Sequence, residues 1–275
     1  MISLEMKEQL EAMLQADLGM CDLTSAIVPE RKCSAEIRAK EPCIIAGLEE
    51  ACYLFGLKGV KYVKKAKDGC KVRKNAVVLE LRGLNRGIMN VERTALNVLS
   101  RMSAVATACN EAKKVVGKKT IVSITRKTMP GFNLFDNKAA ELAGIWTHRI
   151  NLNSFVLLKD NHLVFFKKPS QAVLAARRVY GNEMPIEIEV DSERQALDAI
   201  SAVPDILMLD NFSPSKAKST IKKVKKKGFI GNIELSGGIN LGNLHKFKNV
   251  GADIISMGSL THSVSGKNFS LSLRK

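Results

Sequence analysis

The chain has 275 residues, 45% of them hydrophobic and 25% charged, enough for about two cores and too apolar for disorder or collagen. No apolar run approaches the roughly 18 residues of a membrane span, and the opening MISLEMKEQLEAML reads as an amphipathic helix, with too much charge for a signal peptide. The formal net charge is +16, with 17 Lys/Arg against 13 Asp/Glu in residues 1–110 and 26 against 14 beyond, which points to anionic partners. The 14 aromatics are too few for a single-strand stacking surface and the run Lys222–Lys227 reads as a solvated helix face, so neither a nucleic-acid nor a membrane partner is expected, a nucleic-acid binder using its lysine runs being the rival that salt-sensitive binding would reveal. None of the six cysteines forms a CxxC pair and the four histidines are scattered, so reduced structural thiols in a cytoplasmic protein are expected and a His/Cys metal centre is not.

In chain order, residues 1–16 are predicted to be helical and 17–24 to be a loop. Between Cys33 and Leu84 short apolar runs alternate with Gly- and Lys-rich turns, and a helix fits Glu49–Phe55, an α+β pattern. Asn90–Val116 carries Leu96, Leu99, Ala106 and Val115 at helical spacing without Pro and predicts a long helix. After Gly117 strands and helices alternate. TIVSIT, FVLLKD, IEIEV, ILMLDN, IELSGG and IISMG are separated by helical stretches at 138–143, 170–179, 192–200, 213–227 and 241–249. Such alternation predicts parallel βα units, either a barrel with its chemistry at the strand C-termini or an open doubly wound sheet. Neither GxGxxG nor GxxxxGK[ST] is present. The closing Phe269–Leu273 alternates with period two and predicts a strand returning to the N-terminal sheet. The expected division is an N-terminal α/β sandwich over 1–108 joined by the strand 268–275, with a barrel over 109–267.

The ends of these strands carry the chemistry. TIVSIT leads into Thr125-Arg126-Lys127-Thr128, the THR segment supplies His148 and Arg149, and FVLLKDNH supplies Lys159 and Asp160. IEIEV supplies Glu187 and Glu189, ILMLDN supplies Asp210, IELSGG supplies Ser236, Gly237 and Gly238, and IISMG supplies Ser256 and Gly258. Guanidinium groups pair bidentately with carboxylate or phosphate, Ser/Gly turns after strands offer backbone N–H groups to phosphate, and carboxylates beside phosphate hold Mg²⁺. One mouth collecting these ends would take a polyanionic ligand carrying phosphate and carboxylate.

Taken in order, these residues resemble the quinolinate phosphoribosyltransferase family. The resemblance rests on Asp17-x-Gly-x-x-Asp22-Leu-Thr24, Ala46-Gly47-Leu48-Glu49, Asn90-Val-Glu92-Arg93-Thr94-Ala95-Leu96-Asn97, Thr125-Arg126-Lys127-Thr128-x-Pro130-Gly131 and His148-Arg149. It continues through Lys159-Asp160-Asn161-His162, Glu187-Ile-Glu189-Val190, Leu209-Asp210-Asn211, Ser236-Gly237-Gly238-Ile239 and Ile255-Ser256-x-Gly258. It implies an α/β sandwich joined to an irregular α/β barrel, the type II phosphoribosyltransferase architecture. It also implies transfer from 5-phosphoribosyl-1-pyrophosphate to quinolinate with release of pyrophosphate and CO₂, forming nicotinate mononucleotide in NAD biosynthesis, with Mg²⁺ as cofactor.

By residue matching, Arg126, His148, Arg149 and Lys159 bind quinolinate, joined by Arg93 from a second subunit of a homodimer with shared sites, which in some members assembles into a hexamer. Lys127, Glu189 and Asp210 are implied as catalytic, the two carboxylates also as the Mg²⁺ ligands, and Ser236, Gly237, Gly238, Ser256 and Gly258 as the phosphate binders. The sequence departs from the family at Cys21, Ile124, Asn133, Asp136, Asn137 and Ala143-Gly144-Ile145. A molybdenum-associated paralogue with a different acceptor is the alternative, although such relatives tend to lose the Asn-Val-Glu-Arg and Lys-Asp-Asn-His motifs found here.

Overall fold

The computed structural model describes residues 2–274, so the extreme ends of the expected 1–108 and 268–275 segments, Met1 and Lys275, lie outside the described residues. The chain divides into two compact units. One comprises residues 1–110, 128–144 and 263–275, the other 111–127 and 145–262. Residues 128–144, expected with the barrel, thus cluster with the N-terminal unit.

In the first unit α1 (Leu4–Leu18) starts where the Ser3 hydroxyl accepts from the Met6 N–H, and it buries Met6, Leu10 and Leu14 at helical spacing. The predicted loop 17–24 is shorter than expected, because Asp22 accepts from the Ser25 N–H and caps α2 (Leu23–Ala26). The strands β1 (Lys32–Ala39) and β2 (Cys43–Ile44) precede α3 (Leu48–Leu57), and β3 (Lys61–Lys64), β4 (Lys71–Val72) and β5 (Val77–Leu84) follow it. β1 buries Ala35, Ile37 and Ala39 and turns the intervening residues outward, the alternation of a sheet with one covered face.

The 32-residue helix α4 (Asn85–Val116) buries Ile88, Val91, Ala95, Leu99, Met102, Val105, Cys109, Ala112 and Val116 along one stripe. Its Ser103 and Thr107 hydroxyls accept the N–H groups of Ala46 and Ile44, pinning the chain just before α3. Gly47 makes that turn with φ +99°, and a Cβ there would meet Met102 Sδ at 3.1 Å. Only glycine satisfies both demands.

The second unit begins with β6 (Ile121–Ser123). The chain then returns to the first unit as α5 (Asn133–Leu142), where three departures from the family pattern find structural roles. Asp136 is fully buried and takes a two-pronged contact from Arg101, Nε to Oδ1 at 2.9 Å and Nη2 to Oδ2 at 2.7 Å. Asn133 opens the helix and Asn137 lies on its buried face. Lys138 donates to buried Glu50 at 2.7 Å and to Glu49 at 3.1 Å, tying α5 to α3. Burial pushes the Asp136 carboxyl above its ordinary range while Arg101 pulls it back down.

The second unit continues with β7 (Val156–Leu158), α6 (Asp160–Leu163), α7 (Pro169–Tyr180), β8 (Ile186–Val190), α8 (Glu193–Ala199), β9 (Ile206–Asp210), α9 (Pro214–Lys226), β10 (Asn232–Ser236), β11 (Ile254–Ser256) and α10 (Ser259–His262). β12 (Phe269–Arg274) belongs to the first unit, whose antiparallel sheet has the order β12-β1-β5-β3. In the second unit the order is β6-β11-β10-β9-β8-β7, all parallel, and Trp146 extends the β6 edge through one parallel bridge to Ser123. Opposite that edge the Trp146 ring stacks on Phe155, beside β7, at 6.4 Å and 10°. Aromatic packing thus meets across the place where a ladder would close a regular barrel, and the doubly wound alternative is set aside.

The helices lie on the outside. α9 buries Ala217, Thr220, Ile221 and Val224 and exposes Lys216, Lys218, Lys222, Lys223, Lys225 and Lys226, so the lysine run is a solvated face. The helix expected at 241–249 is only a short 3-10 turn, Leu244–Lys246. There the Asn240 side-chain Oδ1 accepts from the Gly242 and Asn243 N–H groups, and the Asn243 side chain accepts from the Asn240 N–H and donates to the Gly238 carbonyl, so side chains take backbone partners that a helix would use. All six cysteines are free thiols, and among the described residues no helix is long and apolar enough to cross a membrane.

Removing the Arg101 guanidinium leaves the Asp136 carboxyl buried and unpaired. Arg101→Ala is therefore expected to cost about 3 kcal/mol, read as a lower chemical-denaturation midpoint. An unchanged midpoint would show that the pair contributes nothing to stability.

Candidate active site

The strand C-termini of the second unit surround one cavity of about 440 Å³. Arg126 and Lys127 enter it from the loop after β6, His148 and Arg149 from the Trp146 segment, Lys159 from the end of β7, Glu189 from β8 and Asp210 from β9. Ser236, Gly237 and Gly238 follow β10, and Ser256 ends β11. Of the thirteen residues expected from the sequence, these eleven line the cavity. Gly258 lies just behind it, where a Cβ would meet Lys127 Cδ at 3.2 Å. Arg93 is exposed on α4, in the first unit, and is not part of this lining.

One side of the cavity is cationic. Arg149 is 8% exposed, and burial, reinforced by the Arg126 charge, lowers its pKa from the ordinary guanidinium value. Like charges held together in partial burial favour an anionic ligand strongly. Lys159 Nζ donates to Glu189 Oε2 at 2.7 Å, and the Thr261 hydroxyl donates to the Lys127 carbonyl at 2.7 Å, fixing the backbone of the Arg-Lys pair.

The same cavity also holds a backbone cradle. Gly237 and Gly238 have φ of +83° and +65°. A Cβ on Gly237 would lie 2.4 Å from Asn211 Oδ1 and 2.6 Å from the Asn211 nitrogen, so the two loops interlock. Asn211 is itself left-handed at φ +56°, donates its N–H to the Ser236 carbonyl at 3.0 Å, and hydrogen-bonds Asp210 through its amide. Consecutive left-handed glycines turn backbone N–H groups toward one concavity, which suits phosphate.

His148 also belongs to a buried charge cluster, of which the strand-end reading named His148 and Glu187 but not Glu234. His148 Nε2 sits 3.2 Å from Glu187 Oε2 and 3.3 Å from Glu234 Oε2, and both glutamate side chains are fully buried. Burial alone would lower the imidazole pKa, but the two carboxylates outweigh it and raise it to about 9. Burial pushes Glu187 up to about 7 despite the opposing pull of His148. His148 has φ +57°, a left-handed conformation that costs a non-glycine residue on the order of 1 kcal/mol or more. Its ring packs against Trp146 at 4.8 Å and Phe155 at 5.2 Å.

Glu234, Leu157 and Met208, which also line the cavity, are the members that sequence reasoning missed. The available signal was a glutamate two residues before a strand-end polar group, Glu234 before Ser236, as Glu187 stands before Glu189.

Fold and site together define an α/β-barrel enzyme for polyanionic substrates, attached to an antiparallel sheet unit. Family models for the quinolinate phosphoribosyl transferase N-terminal and C-terminal domains match residues 22–103 and 105–272, and the chain belongs to this family. It is 36% identical over 273 residues to the probable nicotinate-nucleotide pyrophosphorylase [carboxylating] of Methanocaldococcus jannaschii, covering 96% of this chain and 95% of that one. It is 34% identical over 263 residues to the nicotinate-nucleotide pyrophosphorylase [carboxylating] of Rattus norvegicus, covering 94% and 88%. The solved nicotinate-nucleotide pyrophosphorylase of Francisella tularensis superposes with a TM-score of 0.91 at 30% identity over 98% of this chain and 95% of that one.

A histidine whose folded pKa is raised from 6.5 to about 9 contributes stability that is complete below pH 6.5 and is lost as pH rises through 9. The stability gap between wild type and His148→Asn, followed by thermal melting at a series of pH values, is expected to narrow across that window. A gap independent of pH would show that His148 is neutral in the fold.

Proposed function

We propose that the protein transfers the phosphoribosyl group of 5-phosphoribosyl-1-pyrophosphate to quinolinate, releasing pyrophosphate and CO₂ and forming nicotinate mononucleotide. The observation that carries this is the presence, in one cavity, of four cationic side chains and a glycine phosphate cradle. Full-length similarity to nicotinate-nucleotide pyrophosphorylases supports the same reaction.

In this reading Arg126, Arg149 and Lys159 hold the two carboxylates of quinolinate, with His148 beside them. The Ser236–Gly238 turn, with Ser256 and Gly258, binds the phosphates of the donor. Departure of pyrophosphate leaves cationic character on the ribose, which Glu189 and Asp210 stabilise while Lys127 offsets the leaving group's charge. The pyridine nitrogen then bonds to C1 of the ribose as the bond from C1 to the pyrophosphate oxygen breaks. The quaternary nitrogen takes up the electron pair left when the adjacent carboxylate departs as CO₂, and a proton replaces that carboxylate. Most of the protein's work is positioning two anions side by side.

Glu189 and Asp210 fit a Mg²⁺ ion by the chemistry of their donors. Each is a hard carboxylate on the cavity wall, and each has one oxygen engaged, by Lys159 and by Asn211, leaving the other for an outside ligand. Such an ion would neutralise charge on the departing pyrophosphate. The proposal extends to a cytoplasmic setting, supported by the free thiols.

The test is formation of nicotinate mononucleotide from quinolinate, phosphoribosyl pyrophosphate and Mg²⁺, with nicotinate as the rival acceptor. Losing one carboxylate strands a buried cation, so kcat/KM for quinolinate is expected to exceed that for nicotinate by at least about 100-fold. Comparable values for both acids would defeat the assignment, and turnover of neither would favour the paralogue with another acceptor.

The proposal also includes a homodimer in which Arg93 of one subunit completes the quinolinate site of the other. It is supported by the exposure of Arg93 on α4 and by the family resemblance of the segment Asn90–Asn97 that carries it. Mixing Arg93→Ala and Lys159→Ala chains under subunit exchange is expected to restore about one quarter of wild-type activity, since half of randomly paired dimers carry one intact site. Failure to restore activity after confirmed exchange would place Arg93 in its own subunit's site or in none.

A further inference from the structure

The two glutamates beneath the cation cluster have no role in the reaction outlined above. Glu187 comes from β8 and Glu234 from β10, and they converge on the same nitrogen of His148 from two strands. Among the described residues none of their four oxygens is in hydrogen-bond geometry, so the ion-pair contact with the imidazole is all that holds them. Apolar residues would fill two interior strand positions at lower desolvation cost, so stability does not account for a buried pair of carboxylates here.

His148 is the other half of the puzzle. It is left-handed at φ +57°, a conformation uncommon in any residue but glycine, although histidine reaches it more readily than most. Such a backbone persists only where its surroundings over-determine it. The Trp146 and Phe155 rings pack against the imidazole, and the two carboxylates anchor its far nitrogen. The next residue is Arg149, the most buried of the cavity cations. A change in the backbone at His148 would redirect the Arg149 side chain.

We infer that Glu187 and Glu234 are positioning residues for the acceptor: by anchoring His148 in its left-handed backbone they aim Arg149 into the carboxylate side of the cavity. The ion pairs lie on the Nε2 side of the ring, which leaves Nδ1 as the nitrogen that can meet a substrate carboxylate. The phosphate donor is held elsewhere in the cavity, by the backbone of the Ser236–Gly238 turn. The inference rests on the reading of quinolinate as the acceptor.

The experiment measures KM for quinolinate and for phosphoribosyl pyrophosphate, together with kcat, in wild type, Glu187→Gln and Glu234→Gln. The same two substitutions are also made in a His148→Asn background, asparagine being chosen because it accepts a left-handed backbone. Each single Glu→Gln change is expected to raise KM for quinolinate roughly 10-fold, with KM for phosphoribosyl pyrophosphate and kcat within about 2-fold of wild type. In the His148→Asn background, where KM for quinolinate is already raised by a similar factor, the same changes are expected to add less than about 2-fold.

Wild-type KM for quinolinate in both single variants overturns the inference. So do equal losses for both substrates, or full additivity in the His148→Asn background, since a merely structural pair would produce those. If the Glu→Gln chains fail to fold by circular dichroism, Glu187→Asp and Glu234→Asp replace them, and His148→Asn alone must still raise KM for quinolinate selectively. A wild-type protein that does not turn over quinolinate removes the acceptor reading and this inference with it. An active wild type with indifferent glutamate variants removes the inference alone.

Discussion

Positive charge gathered at the end of a parallel barrel must be balanced from within the protein when no ligand is bound. Arg126, Lys127, Arg149 and Lys159 line a single cavity, and repulsion among them, strongest at buried Arg149, would open the loops that carry them. The balance comes from the strands themselves. Glu189 pairs with Lys159 at the rim, while Glu187 and Glu234 lie deeper, against His148. The barrel interior is therefore charged where an ordinary barrel is filled with branched apolar residues. The outward faces of the same strands keep their apolar packing, with Ile186, Ile188, Leu207 and Leu209 buried beneath the helices.

The same constraint explains how the barrel can be irregular. The Trp146 segment joins the sheet by one bridge only, and the gap toward β7 is spanned by stacked rings. A complete ladder would give that segment a strand's extended backbone, and His148 could not then adopt its left-handed conformation. Incomplete closure is what permits two consecutive functional residues, His148 and Arg149, to enter the site from a chain that is neither helix nor strand.

Most of the barrel could be read from the sequence, because its strands are short apolar runs, each ending in a polar group. That pattern is visible one residue at a time, and it located eleven of the cavity residues. Glu234 escaped because it sits inside the run IELSG, where a single carboxylate looks like noise until its partners on another strand are known. The 3-10 turn at Leu244–Lys246 escaped for a related reason. Its apolar spacing is helical, and the decisive competition comes from the Asn240 and Asn243 side chains bonding local backbone. The grouping of 128–144 with the N-terminal unit depends on long-range ion pairs, Arg101 with Asp136 and Lys138 with Glu50, whose members lie 35 and 88 positions apart. No local pattern encodes such a distance.

The interlock of Asn211 with Gly237 has a consequence for how this site can change. The loop after β9 carries a carboxylate, and the loop after β10 carries the phosphate cradle, yet neither can be redrawn alone. A side chain at position 237 would collide with Asn211, and a bulkier residue at 211 would have to adopt a left-handed backbone while pressing on the glycine. The two loops form one inherited unit. New donor chemistry in this scaffold would have to arise by paired substitution across two strands.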